Sequence, residues 1–161
     1  MEISLDAIDL QLLDQLQRDA TLSNQALAER VHVSPPTCLR RVRRLQESGL
    51  IERQVALLQP DRLAALQGHG LTAIVEVSLD QQGAEHLAAF EARAVQDDGV
   101  QQCWRVSPGP DFVLVVHTRD MPGYLALSQR LFTQDANVRN VRAFFATHRA
   151  KFETKLPLAL G

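Results

Sequence analysis

A run of arginines near the N-terminus is the strongest chemical signal in the sequence. Residues 30–53 contain six arginines and two acidic residues, whereas residues 1–29 contain one arginine and six acidic residues. Guanidinium groups bind phosphate oxygens and base edges through charge-assisted hydrogen bonds. Because Arg40, Arg41, Arg43 and Arg44 lie so close together, one helix can present several of them on one side. We therefore expect a local basic surface on a chain whose formal net charge is only −2.

The remaining reactive side chains are not spaced for metal binding or catalysis. Cys38 and Cys103 are far apart and form no CxxC motif, and the five histidines do not fall at metal-ligand spacing. The sequence has no GxSxG motif and no phosphate-binding loop. We expect no metal ion, no cofactor and no catalytic residue.

Capping residues divide the first 60 residues into three short helices. Asp6, Ser23 and Ser34 each precede a stretch with helical spacing of apolar residues. The third helix has the clearest start, because Pro35-Pro36 occupies first-turn positions that need no amide donor. We expect helices over about residues 5–19, 23–30 and 34–48, and a short strand or hairpin over Leu50–Leu58.

The third helix has one apolar and one basic side. Cys38, Val42 and Leu45 fall on the apolar side, and Arg41 lies near its edge. Three helices with a basic third helix and a following strand pair are typical of a winged helix-turn-helix, in which that helix approaches double-stranded DNA. The alternative is a solvated helix face without a ligand. The expected DNA contacts are Ser34, Pro36, Thr37, Arg40, Arg41, Arg43, Arg44 and Arg53.

The second half alternates strand and helix patterns. The expected order is strand 71–79, helix 82–95, strand 100–107, turn 108–111, strand 112–118, helix 122–132 and strand 138–151. This βαββαβ order predicts a ferredoxin-like (ACT-like) domain with both helices on one face of the sheet. Trp104 and other apolar residues are then expected to need cover on the open face of the sheet, which a symmetric second subunit would provide.

The predicted organisation is α+β with two domains. Residues 1–60 form the winged helix-turn-helix, 61–70 a linker, and 71–161 a ligand-binding and oligomerisation domain. The longest apolar run, Phe112–Val116, is far shorter than the roughly 20 residues that span a bilayer. The N-terminus lacks the basic start and apolar stretch of a signal peptide. We expect a cytoplasmic protein that does not contact a membrane.

Several segments resemble the Lrp/AsnC (leucine-responsive/asparagine regulator) family of transcription factors. The matching stretches are Leu5–Asp9, Leu27–Val31, Ser34–Leu45, Gly49–Ile51, Asp111–Leu114 and Lys151–Leu158. The resemblance implies an N-terminal DNA-reading domain and a C-terminal domain that binds an effector and forms dimers. In that family, dimers commonly assemble further, often to octamers, and amino acids bind between dimers.

The resemblance also implies an effector pocket near the hairpin turn and the last strand. By position, its residues are Gly109, Asp111, Met121, Phe144, Phe145 and Ala146. The turn departs from the family at Pro108, where glycine is usual, so two prolines stiffen it. On local sequence alone, Asp111 is equally a turn-capping residue. Met121 suits packing as well as recognition, and one of the two adjacent phenylalanines is expected to face the core.

The function expected from these observations is sequence-specific transcription regulation. The oligomeric assembly and DNA affinity would respond to an amino acid or a related small metabolite. Two alternatives share the two-domain plan: an enzyme resembling the sirohaem decarboxylase subunits, and an effector sensor that does not bind DNA. The arginines of the third helix favour the regulator, because neither alternative needs a basic surface there.

Overall fold

The protein divides into two compact units, described here from a computed structural model of residues 4–68 and 70–159. The described residues of Met1–Leu57 and Lys151–Gly161 form one unit, and those of Leu58–Ala150 form the other. The C-terminal segment thus groups with the N-terminal residues. The sequence had placed it with the second domain.

The first unit is a bundle of three helices, α1 (Ala7–Arg18), α2 (Asn24–Arg30) and α3 (Pro35–Glu47). All three expected caps are confirmed, because Asp6, Ser23 and Ser34 accept hydrogen bonds from amides in the first turns. Gly49 follows α3 with φ +78°, a left-handed conformation that suits glycine. The helices enclose a core of buried side chains: Leu12, Leu27, Ala28, Val31, Cys38 and Leu45.

The strand or hairpin expected over Leu50–Leu58 is not formed, and residues 52–59 have no regular secondary structure. The apolar side chains of Val55, Leu57 and Leu58 are 63%, 62% and 69% exposed. A strand needs a partner for its backbone groups, and this segment has none within the described chain. The β-branched and apolar composition of this segment suits a strand, but composition does not supply a partner strand.

The second unit begins with α4 (Pro60–Gln67), continues through β1 (Leu71–Leu79), α5 (Ala84–Ala94), β2 (Val100–Arg105), β3 (Phe112–Thr118) and α6 (Met121–Ser128), and ends with β4 (Val138–Phe145). A single π-helical turn, Gln129–Thr133, extends α6. The strands form an antiparallel sheet in the order β2-β3-β1-β4. The predicted βαββαβ topology is therefore confirmed.

Two boundaries differ from the sequence-based expectation. Most of the predicted linker 61–70 belongs to the helix α4, which begins with Pro60 in its first turn. His69 of the predicted linker lies outside the described residues. The last strand ends at Phe145 rather than near Lys151, because β1 begins at Leu71 and the Ala146 amide, next to the end of β4, already donates to the carbonyl of Thr72. Period-2 patterns do not show where the neighbouring strand stops.

Both long helices of the second unit cover the same face of the sheet. Alternate residues of β1 and β3 are fully buried against Phe90 of α5 and Leu127 of α6. The opposite face carries apolar side chains on all four strands: Trp104, Val113, Val115, Ile74 and Phe144. Trp104, Ile74 and Phe144 are 58%, 46% and 46% exposed in the single chain. This open face lacks a covering layer among the described residues.

Candidate DNA-binding surface and effector-domain sites

The outward side of α3 forms an open basic groove. The groove has a volume of about 430 Å³ and is lined by Pro36, Leu39, Arg40, Arg43, Arg44 and Glu47. These positions recur at three- and four-residue intervals and so share one helix face. The opposite face of α3 buries Cys38 and Leu45 completely, which fixes the direction in which the groove points.

Arg40 and Arg43 are the free cations of this surface. Both side chains are exposed, and neither forms an ion pair with a described residue. A guanidinium in solvent keeps all of its donors available for phosphate or for the acceptor edge of guanine. The geometry of these two residues therefore suits the expected DNA contact.

Arg41 and Arg44 are instead paired with carboxylates of α1 and its cap. Arg41 Nη1 lies 2.7 Å from Asp6 Oδ2 and 2.8 Å from Asp9 Oδ1. Arg44 Nη2 pairs with the other oxygen of Asp9, whose side chain is only 1% exposed. These two of the four α3 arginines predicted to contact DNA thus join α3 to the start of α1, and their assignment as DNA contacts stays a prediction.

The same carboxylates close the first turn of α1. Asp9 N donates to Asp6 Oδ1 at 2.9 Å, and Asp6 N donates back to Asp9 Oδ2 at 3.1 Å, a capping box. The Asp9 amide and the Arg41 guanidinium hold the pKa of Asp6 below its ordinary value. The two carboxylates raise the pKa of Arg41 further. Charge and helix capping therefore stabilise the same arrangement.

The other predicted contact residues are Ser34, Pro36 and Thr37 at the start of α3 and Arg53 after its end. Ser34 and Pro36 are exposed at the start of α3, and Thr37 is half-buried. Ser34 Oγ accepts from Thr37 N at 3.4 Å, which caps the helix, and donates to Thr37 Oγ1 at 2.9 Å, so the two hydroxyls are already hydrogen-bonded to each other. Arg53 is exposed in the segment without regular secondary structure.

Asp111 and Gly109 lie at one end of the sheet in the second unit. Asp111 Oδ2 accepts from Leu79 N at 2.6 Å and from Gln82 Nε2 at 3.3 Å. The Leu79 bond falls where the register of β1 and β4 shifts. Gly109 occupies the turn with φ +123° and has open space around it. The Asp111 carboxylate therefore binds the end of β1 across the sheet, and both the turn-capping role and the effector-ligand role stay predictions.

The other four residues lie nearer the opposite end of the sheet: Met121 follows β3 at the start of α6, and Phe144, Phe145 and Ala146 lie beside the first half of β1. Phe145 pairs with Ala73 and packs edge-on against Tyr124 with ring centres 5.0 Å apart. Phe144 lies on the open face beneath the Arg142 guanidinium, 5.2 Å from its ring centre. The two rings face opposite sides, as expected, and both remain partly exposed at 46% and 39%.

The six predicted effector residues therefore form two groups that do not meet within one chain. Asp111 precedes Phe112, whose partner on β1 is Val77, whereas Phe144 pairs with Ile74 of the same strand. The interval of three residues on β1 corresponds to roughly 10 Å at about 3.3 Å per residue, and β1 lies between the two residues. The two groups are therefore not adjacent in one chain, and a pocket formed by residues of different subunits stays a prediction.

Asp6 and Asp9 are structural partners that the sequence reasoning missed. Asp6 was identified as a cap, but neither aspartate was connected with α3. The available signal was the position of Arg41 at the edge of the apolar stripe, where a guanidinium needs a carboxylate partner. The acidic excess of residues 1–29 beside the basic 30–53 pointed in the same direction.

Other chemistry finds little support among the described residues. No group of three or more His, Cys, Asp or Glu side chains is arranged to hold a metal ion in residues 4–68 and 70–159. Burial raises the pKa of the Cys38 and Cys103 thiols, which disfavours the reactive thiolate. None of the described helices is long and apolar enough to cross a membrane.

Comparison with known proteins agrees with both halves of this description. Residues 5–52 match the winged helix-turn-helix DNA-binding family model, and residues 72–156 match the Lrp/AsnC ligand binding domain. The leucine-responsive regulatory protein of Rhizobium meliloti is 36% identical over 151 residues, covering 94% of each protein. The DNA-binding transcriptional activator DecR of Escherichia coli is 34% identical, covering 96% of this chain and 99% of the relative.

Solved structures show the same fold over nearly the whole chain. An AsnC family transcriptional regulator from Agrobacterium tumefaciens superposes with a TM-score of 0.83 at 31% identity, covering 95% of this chain and 97% of that one. A Neisseria meningitidis transcriptional regulator, solved as an L-Met complex, gives 0.82 at 29% identity, with 97% and 98% covered. The chain is therefore a member of the Lrp/AsnC family of transcriptional regulators, with a winged helix-turn-helix DNA-binding domain and an Lrp/AsnC ligand-binding domain.

Proposed function

We propose that the protein binds DNA through the outward face of α3, with Arg40 and Arg43 as its principal cationic contacts. The observation that carries this proposal is the exposed, unpaired state of these two guanidiniums beside a solvent-facing helix start. In helix-turn-helix proteins the N-terminal residues of the second helix of the motif contact base edges in the major groove. Ser34, Pro36 and Thr37 occupy that position on α3.

We further propose that two copies pair through the open face of the sheet. Trp104, Val113, Val115, Ile74 and Phe144 present a connected apolar surface that a second, identical face would cover. A two-fold dimer brings two α3 helices to two half-sites, spaced by one helical turn of DNA or a multiple of it. Assembly of such dimers into an octamer, as the family resemblance implies, belongs to the same proposal.

The proposed effector is an amino acid that binds between subunits. Two arguments support it: the L-Met complex of the Neisseria meningitidis regulator, and the distance between the two groups of expected pocket residues. Asp111 and Gly109 of one subunit would meet Met121 and Phe144–Ala146 of another. A ligand bound there alters DNA affinity only if it prefers one subunit arrangement over another. We propose that the protein acts in the cytoplasm.

Fluorescence anisotropy on labelled duplexes tests this function. The purified protein is titrated onto the DNA upstream of its own coding sequence and onto a shuffled duplex of equal length. The expected result is binding that is at least 1,000-fold tighter to the specific duplex, within the usual range of about 10³ to 10⁷ for such regulators. Equal affinity for both duplexes at all salt concentrations would contradict a sequence-specific regulator.

The effector proposal has its own readout. Sedimentation velocity with and without each of the twenty amino acids measures the assembly directly. We expect one amino acid, with L-methionine the first to try, to change both the sedimentation coefficient and the DNA affinity. If DNA binding is specific but no amino acid changes either quantity, the DNA-binding role stands and the effector role is wrong.

A further inference from the structure

Asp9 is the most buried charged residue of the DNA-binding unit, and it lies against the helix that carries the free arginines. Its side chain is 1% exposed, and its two oxygens are taken by Arg41 and Arg44 of α3. Arg44 is nevertheless 45% exposed, and it lines the same groove as Arg40 and Arg43. The Arg44 guanidinium, which borders the groove, is thus paired with the buried Asp9 carboxylate of α1.

We propose that Asp9 is a positioning residue, whose carboxylate holds the Arg44 guanidinium back from DNA phosphates so that α3 approaches DNA with only Arg40 and Arg43 as free cations. This inference rests on the proposed DNA-binding function. Asp9 touches no DNA in this arrangement and acts only through Arg44.

Arg44 is the residue released when the Asp9 charge is removed. Arg41 is only 19% exposed and keeps a second carboxylate partner, Asp6. Arg44 has no ionic partner among the described residues other than Asp9. Its freed guanidinium would remain on the groove side of α3, where phosphates approach.

The expected consequence is a uniform gain in DNA affinity rather than a loss of binding. Phosphate contacts attract every DNA sequence equally, and each contributes about 0.9 to the slope of log affinity against log salt. The same relation makes one contact worth about fourfold in affinity at 0.2 M salt, hence roughly 20-fold when both subunits of a dimer gain one. Specific and shuffled duplexes gain this factor equally, so the ratio of their affinities is unchanged while both affinities become more salt-sensitive.

The test compares Asp9→Asn with Asp14→Asn in the full-length protein. Asp14 is a matched control, because it is also a largely buried acid of α1 but pairs with Arg18 of the same helix rather than with α3. Binding to the specific and shuffled duplexes is measured by anisotropy from about 50 to 300 mM salt, the range over which counterion release is readily resolved. Circular dichroism checks that both variants are folded.

We expect Asp9→Asn to bind both the specific and the shuffled duplex roughly 20-fold more tightly, with a slope steeper by about one unit per subunit. Asp14→Asn should keep the wild-type slope and specificity. In the double variant Asp9→Asn/Arg44→Gln the slope should return to the wild-type value. A merely structural Asp9 predicts weaker binding to both duplexes without a steeper slope, which would overturn the proposal.

A second comparison keeps the proposal testable if Asp9→Asn does not fold. Arg44→Gln should flatten the slope by less than half as much as Arg43→Gln, because Arg44 is already neutralised by Asp9. Equal flattening by the two variants would overturn the inference while leaving DNA binding intact. Absence of salt-dependent binding by the wild-type protein would overturn the proposed function itself, and this inference with it.

Discussion

Replacing Arg43 by alanine removes one free cation from the outward face of α3 without disturbing its packing. The side chain is exposed and forms no ion pair with a described residue. The helix should remain intact, because alanine is the best helix former. Any change in DNA affinity then reports the lost guanidinium.

The size of the effect follows from counterion release. A dimer loses two guanidiniums, so the slope of log affinity against log salt becomes shallower by about 1.8 if each contacts a phosphate. Between 50 and 200 mM salt, the ratio of wild-type to variant affinity then shrinks by roughly tenfold. Because the term is independent of sequence, specific and shuffled duplexes lose equally.

Anisotropy titrations at four salt concentrations measure this slope. Arg130→Ala is the matched control, because Arg130 is paired with Asp97 in the other unit at 2.9 Å. Its slope should equal that of the wild type. An unchanged slope for Arg43→Ala would remove Arg43 from the DNA footprint and refute the reasoning from its free guanidinium.

Four further substitutions have distinct expected outcomes. Arg40→Ala should lower the preference for the specific duplex by about 1–3 kcal/mol if it contacts a base; equal losses on both duplexes in the same titration would make it a phosphate contact. Trp104→Glu should weaken dimerisation at least 30-fold, about 2 kcal/mol, by sedimentation equilibrium, and unchanged association would show that the open face is not the interface. Gln17→Ala removes two hydrogen bonds to the backbone of Leu156, of 2.9 and 2.8 Å, so trypsin should cleave the C-terminal segment faster. An unchanged cleavage rate would contradict the attachment of this segment to α1. Asp6→Asn keeps a good cap but loses a carboxylate whose pKa is lowered in the folded state. Its loss of stability in urea unfolding should therefore be full at neutral pH and shrink as the pH falls below the ordinary aspartate pKa of about 3.9. A loss of stability that does not change with pH would contradict the ion pair.

The sequence was most informative where local physics decides the structure. Ser34 followed by Pro35-Pro36 leaves few alternatives to a helix start, and the structure forms that cap. The period-2 patterns of the second half likewise predicted four strands and their order in the chain. Each of these features depends on a few neighbouring residues, so a single sequence contains the necessary information.

The sequence was least informative where two distant segments meet. Arg44 on a helical wheel faces outward, and nothing local indicates that Asp9 reaches it across the helix pair. The strand expected near Val55 has suitable residues but no partner strand in the chain. The docking of Leu156 on Gln17 also joins residues from opposite ends of the sequence, and spacing patterns cannot show such contacts.

The effector site illustrates the same limit at the level of assembly. The family resemblance assigned Asp111 and Phe144 to one pocket, whereas the strand register separates them: Asp111 adjoins Phe112, the partner of Val77, and Phe144 pairs with Ile74. This separation supports the proposal of a pocket shared between subunits. The separation could not be read from the sequence, because it depends on which strands pair and in which direction.

The most direct test of the account is the DNA affinity of the purified protein on its own upstream region, measured with and without amino acids. The account predicts salt-sensitive binding that exceeds binding to a shuffled duplex at least 1,000-fold, and a change in that affinity with one amino acid. Affinity that does not distinguish the two duplexes, at any salt concentration and with any amino acid present, would contradict it.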